Sequence, residues 1–167
     1  VQSSGLVILI GRSLVLARQR YAELHLPEPD GWITHAGTEL HHGPGLELDQ
    51  TWTVRINQSW NRDAVLKALD DPQDHITLQD SDHQGAYKVS YWLREADPGL
   101  LSLVRQRLRR DGLQAQPHVR CHWFLDVLPQ RASRSEAIRF LAMSWGLSLE
   151  QVMVVASQQG DAELMDG

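Results

Sequence analysis

Two arginines stand where an anion could be held. Arg12, in Gly11-Arg12-Ser13, follows the apolar run Leu6 to Ile10. Its guanidinium can bind an anion or close a surface ion pair. Ser13 beside it offers a hydroxyl and is equally suited to cap a helix. Arg134 follows Ser133 at a helix start, and a helix N-terminus favours negative charge. His41, His42 and His83 bring imidazoles, but adjacent histidines without a defined partner spacing are weak metal signals. They read as loop histidines. Arg105, Arg107, Arg109 and Arg110 crowd one stretch; they read as a solvated helix face, with an anion-binding interaction module as the sharper alternative.

These groups need elements to position them. Val7 to Ile10 is apolar and largely β-branched, which predicts a strand buried on both faces. Ser13 then caps a helix to about Leu24, with Leu14, Ala17, Tyr21 and Leu24 at helical spacing. Pro27 and Pro29 break the chain, and Trp32 to Thr34 is a second strand. Ala36-Gly37-Thr38-Glu39-Leu40 is a glycine turn leading into a short strand. Strand, helix and strand in succession signal an α/β layer. Residues 41–50 read as a loop. Asn61 caps a helix to Leu69, and Ile76 to Leu78 is a weak strand. Tyr87 to Leu93 is a stronger one, with Val89, Tyr91 and Leu93 on one face and Lys88, Ser90 and Trp92 on the other. Asp97-Pro98 opens a helix with Leu101, Val104 and Leu108 on one stripe. Val119 to Val127 is strand or one half of a hairpin. Ser133 and Glu136 form an S-x-x-E helix start, Gly146 ends that helix, and Val152 to Ala156 is a last apolar strand. The pattern is an α/β core (residues 1–40 and 126–167) interrupted by an α+β cap (residues 41–125).

Composition bounds the function. The chain has 167 residues, 42% hydrophobic and 22% charged, as in an ordinary soluble domain. Its formal net charge of -5 disfavours a nucleic-acid partner. No apolar run approaches the roughly 20 residues of a membrane span, and no signal peptide is visible. The expected setting is cytoplasmic, and the single Cys121 excludes an internal disulfide.

Several phrases, in order, resemble the sucrose-phosphate phosphatases of the haloacid-dehalogenase-like superfamily. They are Gly11-Arg12-Ser13, Ile33 to Leu40, Tyr87 to Tyr91, Leu125 to Pro129, Arg131 to Arg134, and Phe140 to Gly146. The form around Ala132-Ser133-Arg134 and Trp145-Gly146 looks closer still to the C-terminal domain of sucrose-phosphate synthases. The resemblance implies a haloacid-dehalogenase-like Rossmannoid core, lacking its first strand, with an inserted cap. It also implies a chemistry: phosphoryl transfer to an aspartate at the first strand, with magnesium offsetting charge on the transferring group.

The implied motifs are altered here. No Asp-x-Asp precedes Leu6. Ile10 stands where active relatives carry a hydroxyl, and Arg134 where they carry a lysine. Gln158 takes the place of a metal-binding aspartate, and a neutral amide is a poor ligand for a hard cation. Asp161 and Glu163 remain as late metal candidates. Arg12, Ser13 and Arg134 read as phosphate-binding remnants. By the same resemblance Gly37, Thr38, Glu39 and Lys88 fall where the phosphatases hold the sugar. The implied function is a non-catalytic domain attached to a glycosyltransferase that makes sucrose 6-phosphate. Its expected partners are that transferase domain, a separate sucrose-phosphate phosphatase, or sucrose 6-phosphate itself. No cofactor is expected, with magnesium needed only if phosphatase activity survives. Active sucrose 6-phosphate phosphatase is the alternative.

Overall fold

Val7, Ile8 and Leu9 form strand β1 (Val7–Leu9), which pairs in parallel with β2 (Gly31–Thr34) through helix α1 (Leu14–Glu23). Ser13 caps α1, its hydroxyl accepting from the Leu16 amide at 3.4 Å. The computed structural model describes residues 4–43, 45–70, 75–94 and 97–155. The chain divides into two units: Val1–Arg55 with Ala132–Gly167, and Ile56–Arg131.

The first unit holds a four-stranded sheet in the order β1-β2-β3-β4. Strands β3 (Glu39–His42) and β4 (Glu47–Leu48) continue it antiparallel. Within residues 41–50, expected as a loop, His41, His42, Glu47 and Leu48 are strand, because the β2–β3 hairpin carries its register on through His41 and His42. Helix α2 (Gln50–Ile56) follows. Its signal in the sequence was Asp49, whose carboxylate accepts from the Trp52 amide at 2.8 Å. Because these residues extend the first sheet, the first unit runs to Arg55, beyond the boundary expected at residue 40. Helix α5 (Arg134–Ser144) starts at Ser133, which accepts from the Glu136 amide at 3.1 Å. The Trp52 and Phe140 rings meet at 5.1 Å, and Trp52 is fully buried.

Two expected strands differ. Among the described residues β1 pairs on one side only, and it is half-buried rather than buried on both faces. Val152 to Val155 forms no strand; Met153 and Val155 are 86% and 85% exposed. Apolar runs predict a strand only where a partner edge is present to take their hydrogen bonds.

The second unit is an antiparallel sheet ordered β5-β6-β8-β7. Its strands are β5 (Ile76–Leu78), β6 (Val89–Leu93), β7 (Ala115–Arg120) and β8 (Phe124–Pro129). The segment Val119 to Val127, expected as strand or half of a hairpin, holds the end of β7, the hairpin turn at Cys121 and His122 with φ of 50° and 63°, and most of β8. Pro117 hid the start of β7; it is tolerated because β7 is an edge strand. Helices α3 (Arg62–Ala68) and α4 (Pro98–Arg110) cover one face, where Val65, Leu69, Val104 and Leu108 meet Val89, Tyr91, Leu93, Leu125 and Val127.

Tyr91 carries the one awkward atom of that core. Its hydroxyl is buried without a hydrogen-bond partner among the described residues, and burial pushes its pKa up to about 12. Tyr91→Phe is therefore expected to leave stability unchanged or raise it by about 1 kcal/mol, read by urea unfolding. A loss above that size would mean the hydroxyl has a partner. No described helix is long and apolar enough to cross a membrane.

Candidate functional site

In the first unit three chain segments converge. Ile10, just past β1, accepts from the Ala36 amide at 3.3 Å, and Arg12 accepts through its carbonyl from the His35 amide at 2.9 Å. The short helical turn His35–Gly37 is thereby laid against the end of β1. Its three residues all have positive φ, at 48°, 61° and 97°. Gly37 abuts the start of α5: a Cβ there would lie 2.5 Å from the Ser133 carbonyl oxygen. Ile10, Arg12, Ser13, Gly37 and Arg134 thus belong to one floor formed by the β1 end, this turn and the α5 N-terminus.

The chemistry of that floor is limited. Ile10 offers no polar group, and the Ser13 hydroxyl serves as a helix cap. Ser133 caps α5 and lies 3.1 Å from the Ser135 hydroxyl. Arg134 is half-buried at the first position of α5 and is engaged with a neighbour. Thr38 is 1% exposed and donates to the His35 carbonyl at 3.1 Å, so it holds the turn rather than facing outward.

Glu39 is a partly buried acid of this unit. Its carboxylate accepts from Thr34 Oγ1 at 3.1 Å and His41 Nε2 at 3.3 Å, with His35 Nε2 at 3.8 Å. Burial alone would raise its pKa. The His41 hydrogen bond, the His35 charge and the Thr34 hydroxyl outweigh it and hold the carboxyl below its ordinary range. His42 Nε2 lies 2.9 Å from Asp49. His41 and His42 are therefore strand residues paired with acids, not loop residues.

In the second unit the sheet face opposite α3 and α4 carries charge. Asp126 on β8 accepts from Ser90 Oγ at 2.6 Å and from Arg120 Nε at 2.7 Å. Ser90 and Asp126 are cross-strand partners, and Lys88 adds a third attraction. Burial would raise the Asp126 carboxyl, but Arg120, Lys88 and the Ser90 hydroxyl hold it below the usual range. Lys88, Ser90 and Asp126 are each no more than 1% exposed. Lys88 is thus a buried member of an internally paired cluster. No role was expected for Asp126; its signal in the sequence is a lone acid inside the apolar run Phe124 to Leu128. His83 lies in a short helical turn, 2.7 Å from Asp80. On α4, Arg105 and Arg109 are exposed, Arg110 pairs with Asp111 at 2.8 Å, and Arg107 has its own partner.

Gln158, Asp161 and Glu163 lie outside the described residues. Among the described residues no three His, Cys, Asp or Glu side chains converge as metal ligands.

The comparisons agree with this architecture. The family profile described as sucrose-6F-phosphate phosphohydrolase matches residues 1–167. Sucrose-phosphatase 1 of Nicotiana tabacum is 28% identical over 98% of this chain and 39% of its own length. Sucrose-phosphate synthase of Zea mays is 29% identical over 81% of this chain and 14% of its own. The chain therefore spans about two-fifths of that phosphatase and a small part of that synthase. The sucrose-phosphatase of Synechocystis sp. PCC6803, solved in complex with sucrose and phosphate, superposes with a TM-score of 0.86 at 23% identity, covering 98% of this chain and 80% of that one. Further haloacid-dehalogenase-like hydrolases share the fold. With the whole chain matched by one family and the fold shared with a solved phosphatase, the chain belongs to the sucrose-6F-phosphate phosphohydrolase family, within the haloacid-dehalogenase-like fold.

Proposed function

We propose that this chain is a phosphatase-like domain without phosphatase activity, carried by a sucrose-phosphate synthase, and that it binds a sugar phosphate as a product-sensing or docking module. The observation that supports this most is Ile10. It sits where β1 meets the turn and the α5 start, and it puts an aliphatic side chain where the family's chemistry needs a hydroxyl. Arg134 keeps positive charge at a helix N-terminus, which suits binding a phosphate more than transferring it. Glu39, partly buried and held ionised, is the acceptor best placed for sugar hydroxyls in the first unit. The transferase domain of the same parent chain and a separate phosphatase are the proposed macromolecular partners.

The second reading is an active, magnesium-dependent phosphatase. It is favoured by the tobacco phosphatase matching 98% of this chain against 81% for the maize synthase. Phosphate release from sucrose 6-phosphate by the full natural protein, with and without magnesium, separates the two. The expected result is no turnover above background, with the ligand still raising the melting temperature. Turnover abolished by a chelator would establish the second reading.

A further inference from the structure

Helix α4 has an inner and an outer face. Val104 and Leu108 are buried against the second sheet, with Leu101 packed beside them. The outer face is Ser102, Arg105, Gln106, Arg109 and Arg110, all exposed, which line one open groove. Arg110 pairs with Asp111 at 2.8 Å, and Lys67 of α3 is close enough to attract the same carboxylate. Among the described residues neither Arg105 nor Arg109 has an acid at ion-pair distance. One turn apart on a helix, these two like charges repel each other. The helix dipole favours Arg107, Arg109 and Arg110 in the last turn. Arg105 lies before that turn and adds repulsion without that compensation. The charge is local: the second unit has as many acids as bases, and the whole net charge of -5 falls on the first unit.

We propose that the outer face of α4 is a docking surface for an acidic segment of another protein, one that presents two carboxylates about a helical turn apart. Residues 105 and 109 stand roughly 5–6 Å apart at their β carbons. Each guanidinium can hold a carboxylate through two N–H donors. Gln106 lies between them with an amide that both donates and accepts. Arg110 and Lys67 extend the positive field towards α3. A small anion fits less well, because arginines on one convex helix diverge and cannot enclose it. A polynucleotide needs a longer basic track, and the acidic first unit repels it. A second copy also fits less well. Its acidic first unit on this α4 would be a head-to-tail contact, which closes only as a ring or runs on as a filament.

The surface uses none of the residues of the sugar-phosphate reading, so failure of sucrose 6-phosphate to bind would overturn that reading and leave this one untouched. Fluorescein-labelled decaglutamate is titrated by anisotropy, at low and at physiological salt, against the full natural protein. The same titration is run on an Arg105→Glu/Arg109→Glu variant. The control is Arg18→Glu/Arg20→Glu, which changes the net charge equally but on the exposed face of α1. The α4 variant is expected to bind about tenfold more weakly, while the control stays within about twofold of wild type. Wild-type binding should weaken as salt rises. Equal binding by all three forms, or none by the wild type, would overturn the surface. A single-stranded oligonucleotide that binds through the same arginines more tightly than decaglutamate would overturn the choice of a protein partner. Self-association of the wild type that the α4 variant loses would assign the face to a second copy instead. If the double variant fails to fold, Arg105→Ala takes its place: about threefold weaker binding would support the surface, and unchanged binding would count against it.

Discussion

Gly37→Ala is expected to cost about 3 kcal/mol or more and to lower the melting temperature by at least 10 °C. Two effects add. The first is conformational: Gly37 has a φ of +97°, which a side chain tolerates poorly. The second is steric. The added carbon would meet the Ser133 carbonyl oxygen at 2.5 Å, its carbon at 2.6 Å and the Arg134 amide nitrogen at 2.8 Å. All three are backbone atoms at the start of α5, so no side chain can swing away. The Gly37 carbonyl also accepts from Trp52 Nε1 at 3.2 Å, which ties the turn to a buried indole. Gly112→Ala is the control. Its φ is +67° with nothing within 4 Å, so it pays the conformational cost alone, about 1 kcal/mol. Equal melting temperatures for the two variants would mean that the turn does not press on α5. If Gly37→Ala folds, it should weaken phosphate binding more than Gly112→Ala does, because the α5 N-terminus must retreat.

Much of this was legible in the sequence because it rested on local signals. Ser13, Asn61, Asp97 and Ser133 cap the helices they were expected to cap. The alternation of β6 put Val89, Tyr91 and Leu93 into the core. The misses share a cause: they depend on what lies across a sheet. His41 and His42 look like loop residues until β2 supplies the register that makes them strand. Val152 to Val155 looks like a buried strand, but no described strand edge receives it. Lys88 looks like a surface lysine, because only the fold brings Asp126, some 40 residues away, beneath it. The resemblance pointed to the right family, yet it could not reveal that Thr38 spends its hydroxyl on the backbone.

The Asp126 cluster carries the second large effect. Asp126→Asn keeps the shape and can still accept from Ser90, but it removes the negative charge facing Arg120 and Lys88. Lys88 is 1% exposed, so its ammonium cannot turn to water. Breaking a buried pair in this way leaves an uncompensated charge, and the expected loss is about 3–5 kcal/mol. Lys88→Met should cost less, since Arg120 still neutralises Asp126 through a 2.7 Å bond. The pH dependence follows from the direction of the shift. The folded carboxyl titrates below its ordinary 3.8, so the unfolded chain takes up the proton first on acidification. The stability owed to ionised Asp126 is therefore fully present above about pH 4 to 5. It declines as pH falls from there through the lower folded value. Urea unfolding of wild type and Asp126→Asn across pH 7 to pH 2 tests this. The gap between them should be constant near neutrality and close only at the acid end. A gap that closes near pH 6 would point to a histidine instead, and no gap at pH 7 would mean that the cluster contributes nothing to the fold.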